Sequence, residues 1–469
     1  MTAESARQWV HIGSGLFALL LRFLTWWQAS ALAVTALVFN ALVLPRIGGR
    51  RLYRPIDAAR GFPLGILLYP LSVLILILAF PERLDIVAAA WGVLAFGDGF
   101  ATLIGKYMKD TKGTKDTKDT ECTTRKRSTT AIRLETSAGS LPWNSDKTIA
   151  GTTAFVVFGS LAGVALACWT RSSVTPRPPL MFSLVAPMVA AAVGALVETI
   201  PIRLDDNISV PFSSAGVMWL ASGVTAGAVG ASRDAVGAHL PWAIGVNAVV
   251  GLLGHRARTV SMSGAIGGAT IGAVIYAAGG PSAWGLLFIT FFIASITSRF
   301  GFERKALLGI AEERGGRRGA GNALANCGVA AIAALAAIAT PHPDQAWLAF
   351  AAALTAGGSD TVASEIGKAW GRATFLVTTI GRVKAGTPGA MSLEGTAAGL
   401  VAAFTLATVA VAFGLIAAGA MLAVVIGAAA GALAESVLAA TLEAPGILNN
   451  DVLNFLNTAV AAAVALAIT

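Results

Sequence analysis

Leu84-Asp85-Ile86-Val87-Ala88-Ala89-Ala90-Trp91-Gly92-Val93-Leu94-Ala95-Phe96-Gly97-Asp98-Gly99-Phe100-Ala101-Thr102-Leu103-Ile104-Gly105-Lys106 is an apolar run of bilayer length that carries an aspartate toward its end and closes on Gly-Lys. A helix of about 20 mostly apolar residues spans a membrane. Outward from this segment, similar runs nearly tile the 469 residues, near 10–26, 28–45, 62–80, 84–105, 150–170, 180–200, 214–232, 239–254, 260–280, 283–298, 320–340, 345–367, 393–414, 416–440 and 452–468. The expected fold is all-α, a polytopic integral membrane bundle of about fifteen transmembrane helices. Composition agrees: 55% of residues are hydrophobic and 13% charged, against roughly 25% charged in soluble domains. A soluble enzyme with a single anchor is excluded. The 52 glycines suit close helix contacts in lipid.

Cys122, Cys168 and Cys327 lack paired or metal-type spacing, and His11, His239, His255 and His342 are scattered, which argues against a disulfide framework or a His/Cys zinc site. The formal charge of +9 sits in short loops, at 46–60, 106–147, 255–258, 299–318 and 368–384. There it reads as a topology signal and as contacts to anionic lipid or nucleotide phosphate, so no nucleic-acid partner is expected. With a cytoplasmic N-terminus all five basic loops are cytoplasmic and the C-terminus lies outside, as in a bacterial-type inner or plasma membrane protein. The N-terminal MTAESARQWVHIGSG shows no cleavage site, and no removable signal peptide is expected. The Lys-Asp/Gly-Thr triplets of 109–120 cannot bury a core and read as a solvated insert within the basic loop.

Acidic residues in spans default to functional hypotheses because they are costly there, and here they recur in order. Gly97-Asp98-Gly99-Phe100-Ala101-Thr102-Leu103-Ile104-Gly105-Lys106 aligns with Ser359-Asp360-Thr361-Val362-Ala363-Ser364-Glu365-Ile366-Gly367-Lys368. Thr148-Ile149-Ala150-Gly151-Thr152 aligns with Ser392-Leu393-Glu394-Gly395-Thr396; Glu198 followed by Asp205-Asp206-Asn207 parallels Glu435 followed by Asn449-Asn450-Asp451. Taken singly, Asp98 or Asp360 reads as a cap or helix-pairing group as readily as a ligand, Glu198 and Glu435 as interhelical hydrogen-bond partners as readily as site groups, Asp205-Asp206-Asn207 as a turn, and Gly105-Lys106 and Gly367-Lys368 as helix ends. The joint recurrence favours two parallel pseudo-repeats with function attached. Carboxylates of this kind suit Mg²⁺ completed by substrate phosphates. Helix starts at Thr148 and Ser392 aim N–H groups at anions, and Lys147 and Lys384 can neutralise charge in phosphoryl transfer. No GxxxxGK[ST], HExxH or GxSxG stretch occurs.

Residues 1–212 resemble the membrane polyprenol kinases of the phytol kinase and dolichol kinase family, relatives of phosphatidate cytidylyltransferase. The resemblance lies in Arg7…His11-Ile12-Gly13, Phe96-Gly97-Asp98-Gly99-Phe100-Ala101…Gly105-Lys106, Trp143-Asn144-Ser145-Asp146-Lys147-Thr148-Ile149-Ala150-Gly151-Thr152 and Glu198-Thr199-Ile200-Pro201…Leu204-Asp205-Asp206-Asn207. Residues 213–469 resemble the integral membrane family containing plant phytyl-phosphate kinase. The landmarks are Val260-Ser261-Met262-Ser263-Gly264-Ala265, Gly315-Gly316-Arg317-Arg318-Gly319…Asn322…Asn326, Ser359-Asp360-Thr361, Pro388-Gly389-Ala390-Met391-Ser392-Leu393-Glu394-Gly395-Thr396 and Asn449-Asn450-Asp451.

The resemblance implies a fusion of two membrane domains, 1–212 and 213–469. The first would phosphorylate an isoprenoid alcohol and the second its monophosphate, each with CTP and Mg²⁺. The implied first site places Asp98, Asp205, Asp206 and Asn207 on Mg²⁺–CTP, Lys147, Thr148, Gly151 and Thr152 on phosphates, and Glu198 at the alcohol. The implied second site places Asp360, Glu365, Asn450 and Asp451 on metal, with Glu394 and Glu435 as supporting catalytic groups. Arg317, Arg318, Arg382, Lys384, Ser392, Gly395 and Thr396 would hold its anionic substrates. His11 reads as an interfacial anchor or as a family-type site residue. The alternatives are a CDP-lipid-forming cytidylyltransferase, which shares the Asp and Lys-Thr pattern, and a transporter, whose sites sit near mid-membrane between inverted repeats.

Overall fold

Backbone groups in hydrocarbon must be satisfied within their own segment, and the apolar runs accordingly fold as helices. The computed structural model describes residues 3–47, 64–108, 139–141, 144–200, 204–307, 318–443, 445 and 447–469. The insert at 109–120, most of the basic loop at 46–60 and Arg317 lie outside the described residues. The chain forms two units, Met1–Ser222 and Gly223–Thr469. Residue 212, where the sequence reading divides the chain, lies inside a helix.

The first unit holds α1 (Ala3–Gly15), α2 (Trp26–Val43), α3 (Leu64–Ala79), α4 (Leu84–Met108), α5 (Ile149–Thr170), α6 (Leu180–Glu198) and α7 (Asp206–Ser222). A short antiparallel pair, β1 (Ser140–Leu141) and β2 (Asn144–Thr148), runs directly into α5. The core is built on α4, whose residues Ile86–Ala90 are fully buried, and on Phe155, which is 0% exposed and packs with Val93, Leu94, Ala191 and Val210. Gly97 lets α4 approach Phe155, since a Cβ there would lie 2.9 Å from the ring, and Gly99 makes room for Ile12 of α1. The pair of glycines seats Asp98 where α1, α4 and α5 converge.

The second unit holds α8 (Ala226–Arg256), α9 (Met262–Arg299), α10 (Phe302–Leu307), α11 (Ala320–Ala339), α12 (Pro343–Trp370), α13 (Leu393–Ala412), α14 (Met421–Leu438) and α15 (Asn450–Ala467). A small sheet orders β3 (Thr374–Leu376) between β4 (Arg382–Val383) and β5 (Ala390–Ser392), and β5 runs directly into α13. The centre of the unit is α12, buried without interruption from Leu348 to Ser359 and packed against α9, α11, α13, α14 and α15. Because protein rather than lipid surrounds it, α12 tolerates the polar run Ser359-Asp360-Thr361.

Ten helices among the described residues are long and apolar enough to cross a membrane, against the fifteen spans expected. The windows 260–280 and 283–298 are two arms of α9, bent at Gly280, whose φ of 62° and ψ of −156° only glycine adopts readily. The window 214–232 does not form as one helix. Helix α7 stops at Ser222, and α8 starts afresh with Thr225 as its cap, accepting a bond from the Ala228 N–H. Apolarity alone bridges this break; the Gly223 and Thr225 punctuation is what the chain obeys. Helix α12 is long enough to span but falls outside the ten because of its polar middle.

Close approach of α14 and α15 rests on Gly427, where a Cβ would lie 2.5 Å from the Ala461 carbonyl oxygen. Gly427→Leu is expected to cost about 1–3 kcal/mol, read as a fall of several degrees in the melting temperature of the detergent-solubilised protein. Gly230→Leu, where a Cβ meets open space, should melt like the parent.

Candidate functional site

In the first unit, three carboxylates from distant parts of the chain converge. Asp98 ends a π-helical turn, Val93–Asp98, inside α4; Glu198 is the last residue of α6 and Asp206 the first of α7. One oxygen from each lies within 4.8 Å of the others. Lys147, at the end of β2, reaches into the group, with its Nζ 2.6 Å from Glu198 Oε1 and 3.3 Å from Asp206 Oδ2. The strand is held over this point because Asn144 Nδ2 donates to the Thr199 carbonyl at 3.0 Å. Burial works against the Lys147 ammonium, but the negative charges of Asp206, Glu198 and Asp98 outweigh it and hold its pKa above the usual lysine value. His11 Nε2 stands 3.6 Å from Asp98 Oδ2, and its ring meets that of Tyr69 edge-on.

A cavity of about 300 Å³ opens beside this group, lined by Lys147, Thr148, Gly151, Thr152 and Glu198 of the expected residues, together with Asp146 and Lys106. Thr148 caps α5 by accepting from the Gly151 N–H at 3.0 Å, so the first turn of a helix faces the cavity. Asp205 plays another part: its Oδ1 accepts from the Asn207 N–H at 3.0 Å and from Asn207 Nδ2 at 2.7 Å, which makes it the cap of α7. Asn207 Nδ2 also reaches the Gly65 carbonyl, and its Oδ1 is buried without a hydrogen-bond partner. Of the four expected metal residues, the structure therefore brings Asp98 and Asp206 together and joins Glu198 to them.

In the second unit a cavity of about 320 Å³ is lined by Asp360 and Lys368 of α12, Glu435 of α14 and Asn450 and Asn454 of α15. Arg318, Asn322 and Asn326 line its wall on the α11 side, and Ser392, Gly395 and Thr396 supply the start of α13. Ser392 accepts from the Gly395 N–H at 3.1 Å. Asn457 Nδ2 donates to Glu435 Oε2 at 2.8 Å. Glu443, on a π-helical turn after α14, also faces the cavity, although nothing in the periodicity marks it.

Other expected residues of this unit lie elsewhere. Glu365 is buried in an ion pair with Lys305, whose Nζ also donates to the Ser298 carbonyl at 2.8 Å. Lys305 reads in the sequence as one of the basic loop's topology signals, yet it is 1% exposed. Asp451 packs on Gly321, Glu394 Oε1 accepts from the Arg372 N–H at 3.3 Å, Arg382 stands over the Phe375 ring, and Lys384 is exposed. Among the described residues only Asp98, Glu198 and Asp206 form a trio of ligand-type groups.

Chemically, three carboxyl groups against one ammonium form a hard-oxygen site that suits a small divalent cation. The adjoining helix start and Lys147 suit an anion. A divalent cation with a phosphate ester satisfies both halves. The fold and these cavities define the class: a polytopic helical membrane protein with acid-lined pockets next to capped helix starts.

The family pattern of integral membrane protein DUF92 matches residues 245–462. An uncharacterized membrane protein of Synechocystis sp. is 41% identical over 201 residues, 42% of this chain and 78% of that protein. The chloroplastic protein VTE6 of Arabidopsis thaliana is 35% identical over 214 residues, 44% of this chain and 64% of VTE6. A chloroplastic protein of Glycine max named probable phytol kinase 1 is 29% identical over 234 residues, 46% of this chain and 66% of that protein. No solved structure matches. The chain belongs to the DUF92 family of integral membrane proteins.

The buried Lys305–Glu365 pair gives a test of which acidic groups are structural. Lys305→Met leaves the buried Glu365 with only the partly exposed Lys368, 3.5 Å from its Oε1, and should cost up to about 3–5 kcal/mol, whereas Lys305→Met with Glu365→Met should recover most of the loss. Thermal melting of the two purified variants checks this; equal destabilisation by both would contradict a purely structural pair.

Proposed function

We propose that this chain phosphorylates an isoprenoid alcohol such as phytol or geranylgeraniol to its monophosphate in the first unit, and the monophosphate to the diphosphate in the second. CTP is the proposed donor and Mg²⁺ the proposed cofactor, with the basic loops and both sites on the cytoplasmic side. The observation that carries the reading is the meeting of Asp98, Glu198 and Asp206 around Lys147, at the end of a strand that leads into a capped helix. Phosphoryl transfer needs chiefly charge neutralisation and in-line positioning, and this arrangement offers both. The relative named as a probable phytol kinase supports the substrate class, and the family match supports the membrane setting.

In the first unit Asp98, Glu198 and Asp206 would hold the cation, with the buried Asn207 Oδ1 as a further oxygen of the right type. Bound Mg²⁺ would supply charge neutralisation on the triphosphate. Lys147 and the N–H groups of the α5 start bind the phosphates. The alcohol oxygen bonds to the γ-phosphorus while the bond from that phosphorus to its bridging oxygen breaks. CDP leaves, and the hydroxyl proton passes to the Glu198 carboxylate oxygen that would not be on the cation.

The second unit repeats the construction locally, which supports the proposal of two parallel pseudo-repeats. A Cβ on Gly105 would meet Thr148 Oγ1 at 3.1 Å and the Gly151 Cα at 3.8 Å; a Cβ on Gly367 would meet Ser392 Oγ at 3.0 Å and the Gly395 Cα at 3.7 Å. The second cavity adds Arg318 to its acids, and a monophosphate acceptor brings the extra negative charge that an arginine suits.

The test is incubation of the purified protein with geranylgeraniol or its monophosphate, Mg²⁺ and CTP labelled at the γ-phosphate. Asp98→Asn should lower alcohol phosphorylation by about a hundredfold or more and spare the monophosphate step; Asp360→Asn should do the reverse. Loss of the same step in both variants contradicts the two-site reading, and release of pyrophosphate with a CDP-lipid product contradicts kinase chemistry.

A further inference from the structure

Beside the polar cavity of the second unit lies an apolar one of about 140 Å³, bounded by α8, α9, α11 and α12. The two cavities share Arg318, Asn322, Asn326 and Thr361. Away from this junction the lining turns to Val250, Ala269, Ile271, Leu287 and Phe291. Its far end is closed by Trp284, whose Nε1 donates to Asn247 Oδ1 at 3.0 Å and whose ring stacks on Phe288 at 5.1 Å. The mouth is fixed by Arg318, whose Nη2 reaches the Ala294 carbonyl at 3.4 Å and Ser298 Oγ at 3.2 Å.

We infer that this apolar cavity takes the hydrocarbon chain of an isoprenoid monophosphate, with its phosphate held at Arg318 on the border of the polar cavity. The inference rests on the proposed function of the second unit and names where its acceptor binds. An apolar shaft with one guanidinium at its mouth matches a single chain ending in one phosphate. From Ala294 beside Arg318 to Trp284 the wall follows one helix arm, about 15 Å of rise; a volume of about 140 Å³ encloses roughly one five-carbon unit next to the phosphate, and the rest of the chain runs along this wall toward Trp284. The acceptor phosphate would then face Asp360 and Glu435 across the polar cavity, where the nucleotide and its cation belong.

Gly268 of α9 lines the apolar cavity, and a Cβ there meets nothing within 4 Å, so a larger side chain fills the space without displacing protein. A geranylgeranyl monophosphate carrying a diazirine at its hydrocarbon end is photolysed with the full-length protein in nanodiscs, and the labelled residues are mapped by mass spectrometry. Label should fall around Trp284 on α8 and α9. It should be displaced by geranylgeranyl monophosphate and far less by geranylgeraniol or phosphatidate. Gly268→Leu should reduce labelling about tenfold, and Arg318→Gln should abolish the preference for the phosphate. Gly245→Leu, also in open space but lining neither cavity, should label like the parent. Label spread over the lipid-facing surface, or displaced equally by phosphatidate, overturns the inference. Labelling at Trp284 without any phosphoryl transfer upholds this site and contradicts the kinase reading; transfer with label elsewhere does the opposite.

Discussion

A carboxylate at the edge of an apolar helix bundle must be neutralised, and this requirement organises the first unit. Glu198 and Asp206 occupy helix ends and Asp98 a π-helical turn inside α4, and Lys147 reaches them because a short strand is pinned across the end of α6. Remove the lysine and the acids repel; remove Glu198 or Asp206 and the lysine loses a counter-ion while Asn144 still pins the strand. The same balance leaves an excess of carboxyl oxygen, which is what makes the cluster suited to a divalent cation rather than only to a structural ion pair.

Each unit also uses glycine contact to fix a capped helix start. Thr148 and Ser392 cap α5 and α13 in the same way, and each capped turn sits against a glycine of the acidic helix that precedes it, Gly105 or Gly367. A side chain at these glycines would separate the acid-bearing helix from the helix start. The acidic group and the capped turn would then no longer lie beside one cavity. Where an acid instead serves packing, its surroundings differ: Glu365 is enclosed with Lys305 and Lys368.

The helical membrane architecture was legible from apolar run length and small-residue content, because lipid leaves the backbone no alternative. Asp98 and Glu198 stood out because charge in such runs is costly, and Lys147 and Asp206 because they flank span ends, and the structure brings these four side chains together. What the residues do not reveal is direction. Asp205 and Asp206 are neighbours of one type, yet the helix start sends one side chain to the cap and the other to the cluster. Likewise Lys305 lies 60 positions from Glu365, and only the packing of α10 against α12 makes it a counter-ion. The π-helical turns at Val93–Asp98 and Ala439–Glu443 shift register without any periodic signature. Windowed hydropathy cannot see the Gly280 bend or the Thr225 restart, since both lie within apolar sequence.

The central claim is that the trio around Lys147 grips a cation. Its most direct test is an anomalous difference map from crystals of the protein grown with Mn²⁺ and a non-hydrolysable CTP analogue. The expected result is one peak about 2.0–2.2 Å from oxygens of Asp98, Glu198 and Asp206, with Lys147 turned to the phosphates and the peak lost in Asp98→Asn. A nucleotide bound with no metal peak there, and Lys147 still paired to Glu198 and Asp206, would contradict it.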